Sequence, residues 1–287
     1  MSNSIQPILR ALRAIRANRS ATAGTIISAF VIMAITFGPW ISPYGANEMD
    51  FMAILQPPSI RHWFGTNAVG HDVLTRVLEG ARISLFITFV GVTIGAVLGT
   101  IIGMTSAFVG KWVDPIAMRF VDLIFAFPTF VLALFLMLVL GFGIQSVILA
   151  ISLVYVPNFA RLARNTTMGI KEEAYVQAAR LSGQSNLKIM VREILPNIAA
   201  PLFVQFTVGL AFGIIIEAGL SFLGFGVQPP DPSLGIVMAD GKDYFQAGPW
   251  VLTLTGLTLT LIILGLNLLG DGLRDLLDPR LRRRAVA

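Results

Sequence analysis

Six long apolar blocks with few charges run along this chain, at 21–41, 82–109, 115–140, 144–164, 198–222 and 249–271. A helix rises about 1.5 Å per residue, so each block is long enough to cross a hydrocarbon core of roughly 30 Å. Membrane strands would need alternating polarity over about 10 residues, and these blocks do not alternate. The chain therefore reads as an all-α integral membrane protein with six transmembrane helices. The share of apolar residues, 55% against 13% charged, fits that class and no ordinary soluble one. Cysteine is absent, which excludes a disulfide framework and a thiolate metal site. The first block is too long for a signal-peptide core. It ends in Gly38-Pro39-Trp40 without a small-residue cleavage site, so it reads as a retained span.

Charge sets the orientation. Arg10, Arg13, Arg16 and Arg19 precede the first block, and Arg280, Arg282, Arg283 and Arg284 follow the last. The 161–196 loop carries Arg161, Arg164, Lys171, Arg180, Lys188 and Arg192 against Glu172, Glu173 and Glu193. With six spans, all three basic segments share one side, and the positive-inside rule makes that side cytoplasmic. The opposite loop 223–248 holds Asp231, Asp240 and Asp243 against Lys242 alone. Cations beside spans record topology, so the net charge of +5 points to the bilayer and not to nucleic acid. The chain divides into a basic tail (1–20), a first span with a long outer loop (21–81), a core (82–272) and a second basic tail (273–287).

Trp40, Trp112 and Trp250 fall at span ends, where indole rings favour the headgroup level. Trp63 is expected in a surface helix of the outer loop. Val73, Leu74, Val77, Leu78 and Ala81 recur at helical spacing. They mark either an interfacial helix or the early start of the second span.

Gly91, Gly95, Gly99 and Gly103 stand four apart in the second span, and Gly209 and Gly213 repeat that spacing in the fifth. Such stripes let helix backbones touch, within the chain or across a subunit interface. Ionisable residues inside the blocks are few. Arg119 and Asp122, at i and i+3, are placed to pair with each other. Glu217 is a candidate for the substrate path, with a hydrogen-bonded structural role as the plainer reading.

Catalytic chemistry is missing. Gly235 to Asp243 fails the spacing of a phosphate-binding loop and has no Ser or Thr after Lys242. His62 and His71 have no neighbouring ligand cluster, so neither a metal site nor a catalytic residue is expected. An ion-coupled transporter would need buried ion ligands and often broken mid-membrane helices, and little of either is legible.

The most informative stretch is polar. Tyr175 to Pro196 reads YVQAARLSGQSNLKIMVREILP, a helix, a Gly183 break and a second helix over 185–195. Ala174, Ala178 and Leu181 share one face, and the small Ala178 and Ala179 would admit a close partner. Pro196 opens the fifth span, where its missing N–H costs nothing. A plain interfacial helix is the alternative on physical grounds alone.

Gln177-Ala178-Ala179, three residues, Gly183, and then Leu195-Pro196 resemble the "EAA" signature of ABC importer permeases. HWFGTNAVGHDVLTRVLEGARISL, IFAFPTFVLAL, EAGLSFLGFGVQPPDPSLG and NLLGDGLRDLLDPRLR resemble the dipeptide, oligopeptide and nickel importer group, especially its second, C-type permease. The resemblance runs from about residue 20 to 284. It implies a type I importer bundle in the bacterial plasma membrane, with both termini cytoplasmic. It also implies a second homologous permease, two ATPase subunits that use the ATP, and an external solute-binding protein. No cofactor is implied on this chain. Glu173, Gln177, Ala178, Ala179, Arg180, Gly183, Leu195 and Pro196 would form the loop that couples to the ATPase. The sequence departs from the family pattern at Gln177, where Glu is usual, at Glu193, where an apolar residue is usual, and at Asn67 and His71, where Asp and Arg are expected. An ion-coupled transporter or channel working without an ATPase is the competing reading.

Overall fold

The computed structural model describes residues 19–277. Residues 1–18 and 278–287, which hold most of both basic tails, lie outside the described residues. Ten α-helices follow one another: α1 Arg19–Ile41, α2 Val73–Val109, α3 Val113–Phe125, α4 Thr129–Leu140, α5 Ile144–Ile170, α6 Ala174–Leu181, α7 Asn186–Ile189, α8 Leu195–Phe222, α9 Leu234–Asp243 and α10 Pro249–Leu277. A π-helical turn, Met190–Ile194, joins α7 to α8.

Among the described residues, four apolar helical stretches are long enough to cross a membrane: Val73–Val109, Ile144–Ile170, Asn186–Phe222 and Pro249–Gly272. The pair α3 and α4 makes a fifth if its two arms count as one span. The helix α1 contributes a shorter apolar stretch, Gly24–Gly38. The expected straight span over 115–140 is therefore corrected: its arms meet at 87°. Pro128 is the cause, because it donates no N–H and pushes the preceding residue out of the helical region.

The second span begins early. A single helix of 37 residues starts at Val73. Asp72 caps it, its carboxylate accepting from the Thr75 backbone N–H at 2.8 Å and from the Thr75 hydroxyl at 2.7 Å. The 42–72 segment holds turns and one isolated bridge, Thr66 with Asp72, so Trp63 sits on irregular backbone and not on the expected helix. This loop is nevertheless tied down. Arg76 donates to the Ala46 carbonyl and to Asn47 Oδ1, both at 3.1 Å, and Trp250 Nε1 donates to the Thr66 carbonyl at 3.1 Å.

The helices pack around α5, whose most extensive contact is with α2. The central core joins Ile87 and Val92 of α2, Ala133 and Met137 of α4, Ile151 and Phe159 of α5, and Leu220 of α8. A second core lies toward the 42–72 loop, where α9 packs among α2, α8 and α10. A third lies at the opposite end, beneath α6. Phe30, Phe37, Phe86, Phe89, Phe135 and Leu138 remain exposed, as residues facing lipid do.

Candidate functional site

A half-open cavity of about 590 Å³ lies between α4, α5 and α8. Two amides face it, Asn158 at the middle of α5 and Gln205 at the middle of α8. Both side chains are half-buried, and neither hydrogen-bonds to any described residue. An unpaired amide against hydrocarbon costs several kcal/mol, on the order set by transfer measurements. This face of the bundle must therefore meet water or another protein instead of lipid. Each helix also carries a proline nearby, Pro157 and Pro201, which removes one backbone hydrogen bond from the ladder at that depth. A second hollow of about 640 Å³ lies between α1 and the 42–72 loop. Apolar side chains such as Phe30, Phe37 and Leu78 dominate its lining, and its Asp72 is already spent on capping α2.

The other notable surface is α6 and its flanks. Val176 and Ala179 turn inward and join a buried cluster with Met104 and Phe108 of α2, Ala163 of α5, and Ile194 and Ile198 around the start of α8. Ala179 is thus buried in its own chain, so its small size serves internal packing and not a partner's approach. Ala174, Ala178 and Arg180 face outward, and Leu181 is 89% exposed. Leu187 and Val191 extend this apolar face beyond the turn. The Arg180 guanidinium lies 5.3 Å from the centre of the Phe108 ring.

Gly183 has φ +75°, and the chain turns there in a Schellman motif. Gln184 N–H donates to the Ala179 carbonyl and Gly183 N–H to the Arg180 carbonyl. Glu173 caps α6 through its backbone carbonyl, while its side chain makes no capping bond. Gln177 Nε2 donates to Glu172 Oε2 at 3.1 Å and to the Lys171 carbonyl at 3.3 Å. A glutamate at 177 could donate neither bond. Leu195 packs against the core beneath α6, and Pro196 is exposed in the first turn of α8. Because the π turn continues directly into α8, the second loop helix and the following span form one rod.

The glycine stripe of α2 lies against α5. A β-carbon at Gly91 would meet Ile151 Cγ2 at 2.8 Å, one at Gly95 the Ser152 carbonyl at 2.7 Å, and one at Gly99 the Val156 carbonyl at 2.5 Å. At Gly103 it would strike the Ala160 carbonyl. Gly209 and Gly213 of α8 approach Val92 and Thr88 of α2. All six contacts lie within the chain. At the α6 end, Arg164 binds Asp114 with two bonds of 2.7 and 2.6 Å, and Arg161 binds Asp122 at 2.6 Å. Asp122 therefore pairs with Arg161 and not with Arg119, because α3 packs against α5. Glu217 lies outside the cavity lining, fully buried, with Ser221 donating to it at 2.8 Å.

Sequence reading did not single out Asn158 or Gln205. The signal was available: each is an amide within an otherwise apolar span, four residues or fewer after a proline.

Residues 84–283 match the family model described as the binding-protein-dependent transport system inner membrane component. The chain belongs to that family. Residues 6–58 of this permease also match the N-terminal TM domain of oligopeptide transport permease C. Over 280 residues it is 38% identical to the dipeptide transport system permease protein DppC of Alkalihalophilus pseudofirmus, which covers 97% of this chain and 92% of that protein. It is 40% identical over 268 residues to the glutathione transport system permease protein GsiD of Escherichia coli O1:K1 / APEC, covering 93% of this chain and 88% of that one. An inward-facing structure of the MetNI methionine ABC transporter shares the fold at TM-score 0.57 and 19% identity, over 70% of this chain and 96% of its own. The permease is a multi-pass membrane protein of transport, not an enzyme.

Proposed function

We propose that this chain is the C-type permease of an ATP-driven, binding-protein-dependent importer of peptides. The observation that carries this reading is the match to a dipeptide permease over 97% of the chain. The relatives are named for dipeptide and glutathione transport. ATP is used by two separate ATPase subunits, a second homologous permease supplies the other half of the pathway, and an external binding protein delivers the solute. No cofactor is held by this chain. The basic residues of both tails and of the 161–196 loop support a cytoplasmic side for both termini and α6, at a bacterial plasma membrane.

The outward face of α6, with Ala178, Arg180 and Leu181, docks on an ATPase, and the inward face passes its motion on. Val176 and Ala179 belong to one buried cluster with side chains of α2, α5 and the start of α8. A close-packed apolar contact has no slack, so displacing α6 displaces those spans together. ATP-driven approach of the ATPases would then tilt the bundle between inward- and outward-open forms. The binding protein biases that equilibrium only by preferring one form.

Purification of the tagged chain in mild detergent, with mass spectrometry of what accompanies it, tests the assembly. An ATPase pair and a second permease are expected, and the reconstituted complex should take up peptide only when ATP is supplied. Uptake that survives ATP depletion and stops with an ionophore would replace this reading with an ion-coupled transporter.

A further inference from the structure

We infer that the cavity between α4, α5 and α8 is a transient binding station for the peptide backbone, at which Asn158 and Gln205 pair with amide groups of the passing solute. The inference rests on the importer reading and adds to it a substrate class and two residues. A primary amide offers two N–H donors and a carbonyl acceptor on one rigid plane. It therefore matches a peptide group, which offers one of each, whatever side chain that peptide carries.

Four observations converge. Both amides are without a partner among the described residues, at a depth where lipid supplies none. No charged side chain lines the cavity, so it cannot select by charge, and the ends of a zwitterionic peptide must stay hydrated. No carboxylate or imidazole lines it either, which leaves a bare divalent cation without suitable ligands. Its volume of about 590 Å³ falls within the range typical of small-molecule sites. The rings of Phe130 and Phe212 give apolar walls that tolerate varied side chains. The hydrogen-bonding side chains of the lining, the two amides with the hydroxyls of Thr129 and Tyr155, are all neutral, and the weak binding they give suits a station that must release its cargo.

The test uses the complete importer in proteoliposomes, loaded with a mixed library of di- to pentapeptides and read by mass spectrometry. Asn158→Leu and Gln205→Leu should each lower uptake roughly five- to tenfold, the order expected for one lost hydrogen bond. Partner co-purification and ATP hydrolysis stimulated by the binding protein should stay intact, which separates a lost contact from a misfolded chain. N-methylated versions of the accepted peptides, which lack the amide donor, should enter more slowly in the wild type and lose less in the variants. Leucine variants that import every peptide at the wild-type rate would overturn the station while leaving the importer standing. A wild-type complex that takes up no library peptide with ATP would overturn the importer reading and the station with it. Asn158→Cys adds an independent readout, since the chain has no other cysteine. A water-soluble thiol reagent should label it in the assembled complex, and a thiol reached only by a membrane-permeant reagent would place residue 158 against lipid.

Discussion

Glu217 Oε1 accepts a hydrogen bond from Ser221 Oγ at 2.8 Å, one helical turn further along α8. Ser84 of α2 and Ser233 at the start of α9 lie near the same carboxyl, whose Oε2 has no hydrogen-bond partner among the described residues. Each of these serines also accepts a backbone N–H: Ser221 from Val227 at 3.1 Å, Ser84 from Leu234 at 3.2 Å, and Ser233 from Ile236 at 3.3 Å. Each serine oxygen thus accepts one backbone N–H while keeping its own proton, which Ser221 donates to Glu217. Ser221 ties the buried carboxyl to the turn after α8, and Ser84 ties α2 to the start of α9.

Removing that carboxyl should loosen the α8–α9 connection. Glu217→Ala leaves a void and the Ser221 hydroxyl without its acceptor, a combined cost of about 2–4 kcal/mol. Glu217→Gln keeps one carbonyl acceptor and should cost less than half as much. Thermal unfolding in detergent reads the difference. Equal stability for Ala and wild type would mean the serines do not depend on Glu217.

The contact of α2 with α5 sets a second expectation. A side chain at Gly99 has no room, since its first carbon would stand 2.7 Å from Phe159 Cβ as well as against the Val156 carbonyl. Gly99→Leu must part the helices, and overpacking of this kind costs on the order of 1–3 kcal/mol or more. Gly95→Leu meets the same wall. Gly169, on an exposed stretch of α5 with nothing within 4 Å of its would-be β-carbon, is the control. Membrane yield and partner co-purification should collapse for Gly99→Leu and stay normal for Gly169→Leu.

Periodicity and block length made the bundle legible, because a bilayer demands long uninterrupted apolar helices and little else produces them. The four glycines of α2 were legible for a similar reason: spacing by four defines one helix face. The elbow at Pro128 was written in the sequence but hidden inside an apolar block whose total length still suited one span. Ion pairs escaped because Asp122 and Arg161 are 39 residues apart, and only the packing of α3 on α5 brings them together. Which of Ala178 and Ala179 faces outward could not be settled from eight helical residues with apolar side chains on both sides. Asn158 and Gln205 were averaged away by their apolar neighbours, although an isolated amide at mid-membrane depth is the rarer signal.

The 42–72 loop should be sensitive to acid through His71. Asn67 Oδ1 accepts the backbone N–H groups of Val69 and His71, at 3.1 and 2.9 Å, which fixes the orientation of its amide. Asn67 Nδ2 therefore points at His71 Nδ1, 3.3 Å away, and Nδ1 must act as the acceptor. Burial lowers the His71 pKa from its ordinary value, and the nearby Arg76 cation lowers it further. A depressed pKa in the folded state means the unfolded chain binds the extra proton first. Stability from this group is then complete above about pH 6.5 and falls as pH drops toward the depressed folded value. Asp240, whose pKa burial raises, acts with the opposite sign, and it cancels in a comparison of variants. His71→Gln keeps an acceptor for Asn67 and should flatten the loss of thermal stability between pH 7 and pH 5. Parallel curves for the two proteins would exclude His71 as the source.

The turn at Gly183 gives the sharpest separation of folding from function. Its would-be β-carbon meets nothing within 4 Å, so a larger side chain there causes no clash. The cost is confined to the backbone: φ of +75° is adopted freely by glycine, tolerably by asparagine and poorly by a β-branched residue. Gly183→Val should strain the turn by about 1–2 kcal/mol, and the turn relieves that strain by releasing the Gly183 and Gln184 N–H bonds to α6. The exposed end of α6 then loses its fixed direction, while Val176 and Ala179 stay seated in the core. The expected result is a chain that reaches the membrane in normal amount, with ATP hydrolysis by the complex no longer matched by uptake. Gly183→Asn should retain most of the coupling. A valine variant with the wild-type ratio of peptide imported to ATP hydrolysed would remove the turn from the coupling path.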